Sequence, residues 1–204
     1  MKQTLIFVNS GHHNFDKGVV VGNYIERDLV KKIRDELKTL LPDALYVPDE
    51  LNLRQSIDWV NEKAEAEDIA IDIHINANND KTLRGVECYY FKNKELAESL
   101  SKQVAESLGI PNRGAKPDTQ TWLGSLGWVR QLKCNSVVLE CGYMTNTLDL
   151  NIIINNVDKI ARGIYELLTY SDTDKLRKEN TQLRQLVNQL RSYIIKMFGR
   201  NQIK

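Results

Sequence analysis

The chain has 204 residues, of which 42% are hydrophobic, so it can bury one substantial core and carry a modest appendage. Its net charge of +1 gives no overall attraction to nucleic acid, and no stretch approaches the roughly 20 apolar residues of a membrane-spanning helix. The three cysteines lack a CxxC spacing, which predicts reduced, buried thiols. The apolar run at residues 5–8 is far shorter than a signal-peptide core. We therefore expect synthesis in the cytoplasm without a signal peptide, and neither nucleic acid nor membrane insertion.

Strand-like and helix-like hydrophobic patterns alternate along the first 170 residues. They predict strands over 2–8, 44–47, 68–75, 84–91 and 136–140, and helices over 24–41, 53–65, 95–108, 126–132 and 147–169. Residues 109–128 contain two prolines and several glycines, which predicts a long loop and a candidate substrate rim. Strands that alternate with helices are typical of α/β proteins, so we predict a single mostly parallel sheet flanked by helices on both faces.

The last 34 residues, 171–204, differ in charge and pattern from the rest. They hold eight lysines and arginines against three acidic residues, a net charge of +5, which leaves −4 for residues 1–170. A heptad pattern runs through Leu176, Asn180, Leu183, Val187, Leu190, Ile194 and Met197. This pattern is typical of a parallel coiled coil, so we predict a domain over 1–170 and a C-terminal helix that forms homo-oligomers through residues 174–198.

Three alternatives concern this tail. Leu186 widens the apolar seam, which leaves assemblies larger than a dimer open. A short amphipathic helix can also pack back on its own domain. The basic charge either binds an anionic surface or is merely solvated.

Polar residues follow three of the predicted strands. His12 comes shortly after the first strand, His74 lies near the end of the third, and Glu140 ends the fifth. Because the carboxyl ends of parallel strands meet at one edge of a sheet, where α/β proteins place their chemistry, we expect these side chains to lie close together. Two neutral imidazoles suit a divalent metal of zinc type, although each histidine alone is as easily explained by a hydrogen bond.

Glu26 is the candidate for a third ligand. A catalytic zinc normally takes three protein ligands and keeps one position for water, and the first turn of the helix after the first strand lies beside that strand's end. Alternatively, Glu26 completes a capping box with Asn23 as the N-cap. His13 is an alternative to His12, and only one of the two is expected to bind because adjacent side chains point apart.

Glu140 and Asp16 are candidates for supporting roles. Glu140 follows four apolar residues, so it should be half-buried, and burial raises the pKa of a carboxyl towards that of a general base working near neutral pH. The alternative for Glu140 is a solvated glutamate after a strand. Asp16 either orients a ligand imidazole or caps its loop.

Taken together, these motifs and their spacing resemble a known family. The matching pieces are Ser-Gly-His (10–12), Asp16 with Gly18, Glu26 followed by Arg-Asp-Leu, Ile-His-Ile-Asn-Ala (73–77) and Val-Leu-Glu-Cys-Gly-Tyr-Met-Thr-Asn (138–146). Over residues 1–170 the chain resembles zinc-dependent N-acetylmuramoyl-L-alanine amidases, specifically the type-3 amidase domain of bacterial autolysins and phage endolysins. It departs from that pattern at Asn9-Ser10, His13-Asn14 and Asp72, where the family commonly has Asp-Pro, two glycines and a serine.

The resemblance implies a function and a set of site residues. It implies one Zn²⁺ held by His12, Glu26 and His74, with Glu140 as the catalytic residue that acts on the attacking water. The implied substrate is peptidoglycan, cut at the amide between N-acetylmuramic acid and L-alanine. An endolysin-like protein would lyse the cell wall after release from a host cytoplasm. The alternatives are another zinc amidohydrolase on the same fold, such as a peptidase or deacetylase, and a non-catalytic wall-binding module.

Overall fold

A computed structural model of the chain describes residues 4–169, 181 and 183–193. The chain divides into two compact units, Met1–Leu167 and Leu168–Lys204. Within the described ranges, no helix has the length and apolarity needed to cross a membrane.

The larger unit is built on a six-stranded sheet and a small hairpin. In chain order the strands are β1 (Ile6–Ser10), β2 (Val20–Val21), β3 (Tyr24–Ile25), β4 (Leu45–Tyr46), β5 (Ile69–Asn76), β6 (Val86–Tyr90), β7 (Asn112–Pro117) and β8 (Asn135–Tyr143). The sheet order is β4-β1-β5-β8-β6-β7, and β2 pairs with β3 in the hairpin. Strands β4, β1, β5 and β8 are parallel, whereas β6 runs antiparallel to β8 and β7 runs parallel to β6. The prediction of a mostly parallel sheet is confirmed.

Six helices surround this sheet. They are α1 (Glu26–Leu40), α2 (Leu53–Lys63), α3 (Lys94–Leu108), α4 (Gly127–Gln131), α5 (Thr147–Asn155) and α6 (Val157–Thr169). Helix α1 buries Leu29, Ile33 and Leu37, which recur at helical spacing on its inner side. Helix α2 begins with a capping box in which Asn52 and Gln55 satisfy each other's backbone N–H groups.

Both faces of the sheet are covered. On one face a buried cluster joins four strands to helices α2 and α4, and it includes Phe7, Ala70, Tyr89, Val138, Ile57, Val60, Trp128 and Val129. The alternate residues Val8, Ile71 and Leu139 point to the opposite face and are fully buried as well. Strands buried on both sides are typical of parallel sheets, which explains their nearly continuous apolar sequences. All three cysteines are free and buried, as predicted.

Strand β7 lies within the region predicted to be a loop. Its sequence is Asn-Arg-Gly-Ala-Lys-Pro, which has no apolar alternation and ends in a proline. Proline and glycine are tolerated here because β7 is the edge strand, where one side of the backbone needs no ladder partner. The loop prediction was therefore wrong for residues 112–117.

The predicted helix over 147–169 is two helices, α5 and α6, that meet at Asn156. The Asn156 side chain donates to the backbone oxygen of Ile152, and the Asn155 side chain donates to that of Asn151. Asparagine side chains that bond to nearby backbone groups compete with the helical ladder. The apolar periodicity continues through the break, so periodicity alone did not reveal it.

Beyond the end of α6, the described part of the C-terminal unit is helical, at residue 181 and over residues 183–193. Its apolar side chains are exposed, with Leu183 at 60%, Leu186 at 56%, Val187 at 45% and Leu190 at 58%. The other heptad positions, Leu176, Asn180, Ile194 and Met197, lie outside the described residues. The coiled coil and the domain boundary at residue 170 therefore stay predictions.

Candidate active site

Three strands place polar side chains in a row on one face of the sheet. His74 of β5 is in register with Glu140 of β8, and Glu140 is in register with Glu87 of β6. Residues directly opposite each other on neighbouring strands point to the same face. Glu140 lies within β8, which continues to Tyr143, so the predicted strand end at residue 140 was too early.

His12, Glu26 and His74 come together at the end of this row. One ligand atom from each residue lies within 4.8 Å of the others. Glu26 Oε1 lies 3.1 Å from His74 Nδ1, and Glu26 Oε2 lies 3.0 Å from His12 Nε2. The three residues proposed from the sequence as metal ligands therefore share one centre.

Glu26 is the first residue of α1, and Ile25 is the N-cap. The alternative capping box was wrong, because Asn23 lies in the turn between β2 and β3, outside the helix. The Glu26 side chain is buried, and each of its oxygens accepts a backbone hydrogen bond. Oε1 accepts from the N–H of Ile75 at 3.1 Å, and Oε2 accepts from the N–H of Val19 at 3.0 Å. These two bonds fix the carboxylate from both sides.

His12 and His13 point to different partners, as expected of adjacent residues. His12 Nδ1 lies 2.7 Å from Asp16 Oδ2, which leaves Nε2 facing Glu26. This contact agrees with the hypothesis that Asp16 orients the imidazole. His13 Nδ1 instead accepts from the N–H of Phe15. His12 has a φ of 70°, an uncommon backbone conformation for a residue with a side chain, which is typical of functional sites.

Two glycines let the backbone approach these side chains closely. A Cβ atom at Gly11 would collide with the ring of His74. A Cβ atom at Gly18, whose φ is 61°, would collide with His12 Nε2 and the Glu26 carboxylate. Both positions therefore need glycine if the three side chains are to meet.

Asp72 contacts the second nitrogen of His74. Asp72 Oδ2 lies 3.2 Å from His74 Nε2, and Asp72 Oδ1 accepts from the side-chain amide of Asn9 at 2.8 Å. His74 Nδ1 is thereby directed towards Glu26. A carboxylate behind a metal-binding histidine fixes its tautomer and raises its basicity. In the sequence, Asp72 stands out only as a departure from the family pattern.

The ionisable side chains at this centre shift one another's pKa values. Burial by itself would lower the pKa of His12, but the neighbouring Glu26 carboxylate raises it above its ordinary value. Burial would also lower the pKa of His74, but Asp72 and Glu26 outweigh burial and raise this pKa well above its usual range. Burial would raise the pKa of Glu26, yet the two imidazoles hold it far below normal. The cluster therefore favours an ionised Glu26 carboxylate between two positively charged imidazoles.

The donor atoms fit a divalent metal of zinc type. His12 Nε2 is buried and lies 3.0 Å from Glu26 Oε2, but no contact of this nitrogen among the described residues has hydrogen-bond geometry. It is aimed at the same centre as Glu26 and His74, so a cation there would satisfy it. Two imidazole nitrogens and one carboxylate are a common ligand set of catalytic zinc.

Glu140 adjoins this centre on the sheet face. Burial raises the pKa of Glu140 to about 8, His74 opposes that rise, and Glu26 and Glu87 add to it. Its Oε2 atom is buried and has no hydrogen-bond partner in the described part of the chain. Such a carboxyl can accept and return a proton near neutral pH.

A cavity of about 810 Å³ opens over the row, and His12, Glu26, His74 and Glu140 all line it. Trp122 and Leu123, from the region predicted as a substrate rim, line it as well. The Trp122 side chain is 93% exposed. The cavity is large enough for a ligand of several residues or sugars.

Glu87, which the sequence pattern did not indicate as a site residue, is the centre of a second polar cluster in the cavity. Its side chain is 1% exposed. Its carboxylate accepts from Arg113 Nε at 2.7 Å, Lys116 Nζ at 2.5 Å, Tyr89 OH at 2.6 Å, Tyr143 OH at 3.1 Å and Asn76 Nδ2 at 2.8 Å. Burial raises the pKa of Glu87, but these donors outweigh burial and lower it. The sequence signal that could have indicated Glu87 was a glutamate at a core-facing position of a predicted strand, between Val86 and Cys88.

Comparison with known proteins gives a match over most of the chain. The family model for N-acetylmuramoyl-L-alanine amidase matches residues 6–170. N-acetylmuramoyl-L-alanine amidase LytC of Bacillus subtilis is 28% identical over 176 residues, which covers 79% of this chain and 34% of that protein. Probable cell wall amidase LytH of Staphylococcus epidermidis is 29% identical over 174 residues, 81% of this chain and 56% of that protein. The chain thus spans between a third and three fifths of these curated relatives.

A solved structure shares the fold. The crystal structure of N-acetylmuramoyl-L-alanine amidase from Clostridium difficile 630 superposes with a TM-score of 0.71 at 25% identity. The superposition covers 82% of this chain and 96% of that one.

Proposed function

Because the chain belongs to the N-acetylmuramoyl-L-alanine amidase family, we propose that it hydrolyses the amide between N-acetylmuramic acid and L-alanine in peptidoglycan, with zinc as its cofactor. One observation carries this proposal. Ligand atoms of His12, Glu26 and His74 lie within 4.8 Å of one another beside Glu140, in a cavity that can admit a substrate.

His12, Glu26 and His74 hold the metal in this proposal. When bound, the metal polarises the scissile carbonyl and makes water a stronger nucleophile at neutral pH. Asp16 and Asp72 orient the two imidazoles by contacting the nitrogens that face away from the centre. The backbone bonds to Glu26 keep its two oxygens in place before any ligand arrives.

Glu140 is the general base and then the general acid. Its carboxylate takes a proton from the attacking water and returns it to the nitrogen of the leaving L-alanine. The raised pKa of Glu140 favours both transfers near neutral pH, and its buried, unpartnered Oε2 is free to act. The expected products are an intact glycan strand and a stem peptide with a free L-alanine amino terminus.

Mass spectrometry of digested cell wall tests the assignment. Free L-alanine amino termini on released peptides, with intact glycan strands, support the amidase. New ends within the peptide would instead identify a peptidase, and released acetate a deacetylase. A protein that binds walls but releases no product would be a binding module only.

The proposal includes a lytic, endolysin-like role. Cutting the muramoyl–alanine amide detaches glycan strands from the cross-linking peptides, so sufficient cleavage must weaken the wall. A falling turbidity of a purified wall suspension supports this role. Unchanged turbidity alongside released peptides would restrict the protein to wall remodelling.

Self-association through residues 174–198 is also part of the proposal. Leu183, Val187 and Leu190 lie on one side of the described helix, and each is at least 45% exposed. An apolar stripe at this spacing is typical of helices that pack against a partner copy. We therefore expect a dimer or a larger homo-oligomer of the full chain, measured by sedimentation.

A further inference from the structure

The cavity has one cationic end, at strand β7. Among the lysines and arginines that the structure describes, Arg113 and Lys116 are the two that line the cavity. Their side chains are 28% and 22% exposed, whereas the Glu87 side chain beneath them is 1% exposed. The two cations therefore face the space that a substrate would enter, and the carboxylate that pairs with them is covered.

This cluster retains positive charge and hydrogen-bonding capacity. Arg113 and Lys116 share the single carboxylate of Glu87, so the three groups together carry a charge of +1. An ammonium group has three N–H donors, and Glu87 takes one of those on Lys116. Glu87 itself is saturated, because Tyr89, Tyr143 and Asn76 also donate to it.

The other carboxylates that line the cavity have partners of their own. Asp16, Glu26 and Asp72 contact the imidazoles of His12 and His74, and Asp49 contacts Lys31 and Arg34. An anionic group of a ligand that extends beyond the histidine centre is attracted to the β7 end, where two cations line the cavity. The charge distribution therefore favours one orientation of an asymmetric substrate.

We propose that Arg113 and Lys116 form a subsite for a carboxylate in the peptide part of the substrate, an inference that rests on the proposed amidase function. The muramoyl side offers no such group, since its lactyl carboxyl is consumed in the scissile amide. The stem peptide does offer free carboxylates. Charge-assisted hydrogen bonds from a guanidinium and an ammonium are the strong contacts for a carboxylate.

The spacing of the strands suits a carboxylate near the scissile bond. Glu140 and Glu87 are directly opposite each other, and neighbouring strands lie about 4.8 Å apart. Strand β7 is one strand further, with Gly114 opposite Glu87. An extended peptide advances about 3.5 Å per residue. Two extended residues and the reach of a carboxyl group cover that distance, so the subsite matches the second residue from the scissile amide.

Two small substrates that differ in one group test the proposal. Both are N-acetylmuramoyl-L-alanyl-D-glutamyl dipeptides in which the γ-carboxyl is blocked as its methylamide; one has a free α-carboxylate on the second residue, and the other has the α-carboxamide. We expect the full-length zinc-loaded protein to cleave the carboxylate with a kcat/KM about tenfold higher, a typical effect of one charged hydrogen bond. Lys116→Gln should bring the ratio of the two kcat/KM values close to one, and Lys116→Arg should preserve most of it.

The ratio separates this role from a structural one. If Lys116 only neutralises Glu87, Lys116→Gln lowers both rates equally and leaves the ratio unchanged, which overturns the proposal. Equal cleavage of the two substrates by the parent also overturns the subsite, while it upholds the amidase function. Cleavage of neither substrate by the parent overturns the amidase function itself. Lys102→Gln, at an exposed lysine of α3, is the matched control and should change neither rate.

Discussion

Two glutamates that face each other on adjacent strands have opposite surroundings. Glu87 of β6 accepts hydrogen bonds from five side chains, and its pKa is lowered. Glu140 of β8 has a buried oxygen without a partner among the described residues, and its pKa is raised to about 8. Burial acts in the same direction on both. The difference shows that hydrogen-bond partners decide whether a buried carboxyl is a permanent anion or a group that exchanges protons.

The largest expected effect is on catalysis at Glu140. Glu140→Gln removes the proton acceptor while preserving the shape of the side chain, so kcat on cell wall should fall by about 10²–10⁴. Release of new amino termini measures the rate, and circular dichroism checks that the fold is retained. A variant as active as the parent would rule out Glu140 as the general base.

The matching substitution on β6, at Glu87, should lower the stability of the fold. Glu87→Gln leaves Arg113 and Lys116 without their counter-ion, and breaking such a buried pair costs about 3 kcal/mol of unfolding free energy. Urea unfolding measures this loss. Equal stability of the Glu87→Gln and Glu140→Gln variants would remove the distinction between the two glutamates.

A smaller effect is expected from the carboxylate behind His74. Asp72→Asn keeps the size of the side chain but removes the negative charge next to His74 Nε2, so zinc affinity should fall by about 10–100-fold. Competition with a chelator measures the affinity. Asp58→Asn, at an exposed aspartate of α2, is the control, and a similar loss in that variant would show a nonspecific effect.

The pH dependence of stability should have opposite signs at the two glutamates in the metal-free protein. The lowered pKa of Glu87 stabilises the fold above the unfolded value of about 4.3, and this contribution is lost as the pH falls through the folded pKa. Because the pKa of Glu140 is raised, this carboxyl stays protonated to a higher pH in the folded state than in the unfolded state. Stability therefore declines as the pH rises from about 4.3 towards 8. Chemical unfolding of the parent and both glutamine variants between pH 3 and 8 measures both slopes. Relative to the parent, Glu140→Gln should gain stability at the alkaline end, and the deficit of Glu87→Gln should shrink at the acid end.

The smallest expected effect on catalysis comes from the C-terminal helix. Leu183→Lys combined with Leu190→Lys places charges in the apolar stripe and should reduce the sedimentation coefficient, with the rate on small substrates nearly unchanged. Gln185→Lys with Gln189→Lys adds the same charge on the other side of the helix and should leave the assembly intact. If neither pair changes sedimentation, the heptads do not drive association.

The hydrophobic periodicity was sufficient to predict the central architecture. Strands β1, β5 and β8 are nearly continuous apolar runs because parallel strands are buried on both faces, and such runs can be read without coordinates. The same runs end near His12, His74 and Glu140, which is why these residues were predicted to lie together. Strand β7 could not be predicted in this way, because an edge strand with glycine and proline carries no apolar signal.

By itself, the sequence determined the fold class and the identity of the residues at the candidate centre, because burial leaves a periodic record along the chain. Only the tertiary structure decided that Glu26 faces His12 and His74 and does not cap its helix, since the N–H group that holds its Oε1 belongs to Ile75, 49 residues away. The same holds for Glu87, whose donors come from strands β5 to β8 and whose sequence neighbours do not reveal them. Periodicity records which side chains are buried, whereas the partners that set their charge and chemistry are brought together by the folded sheet.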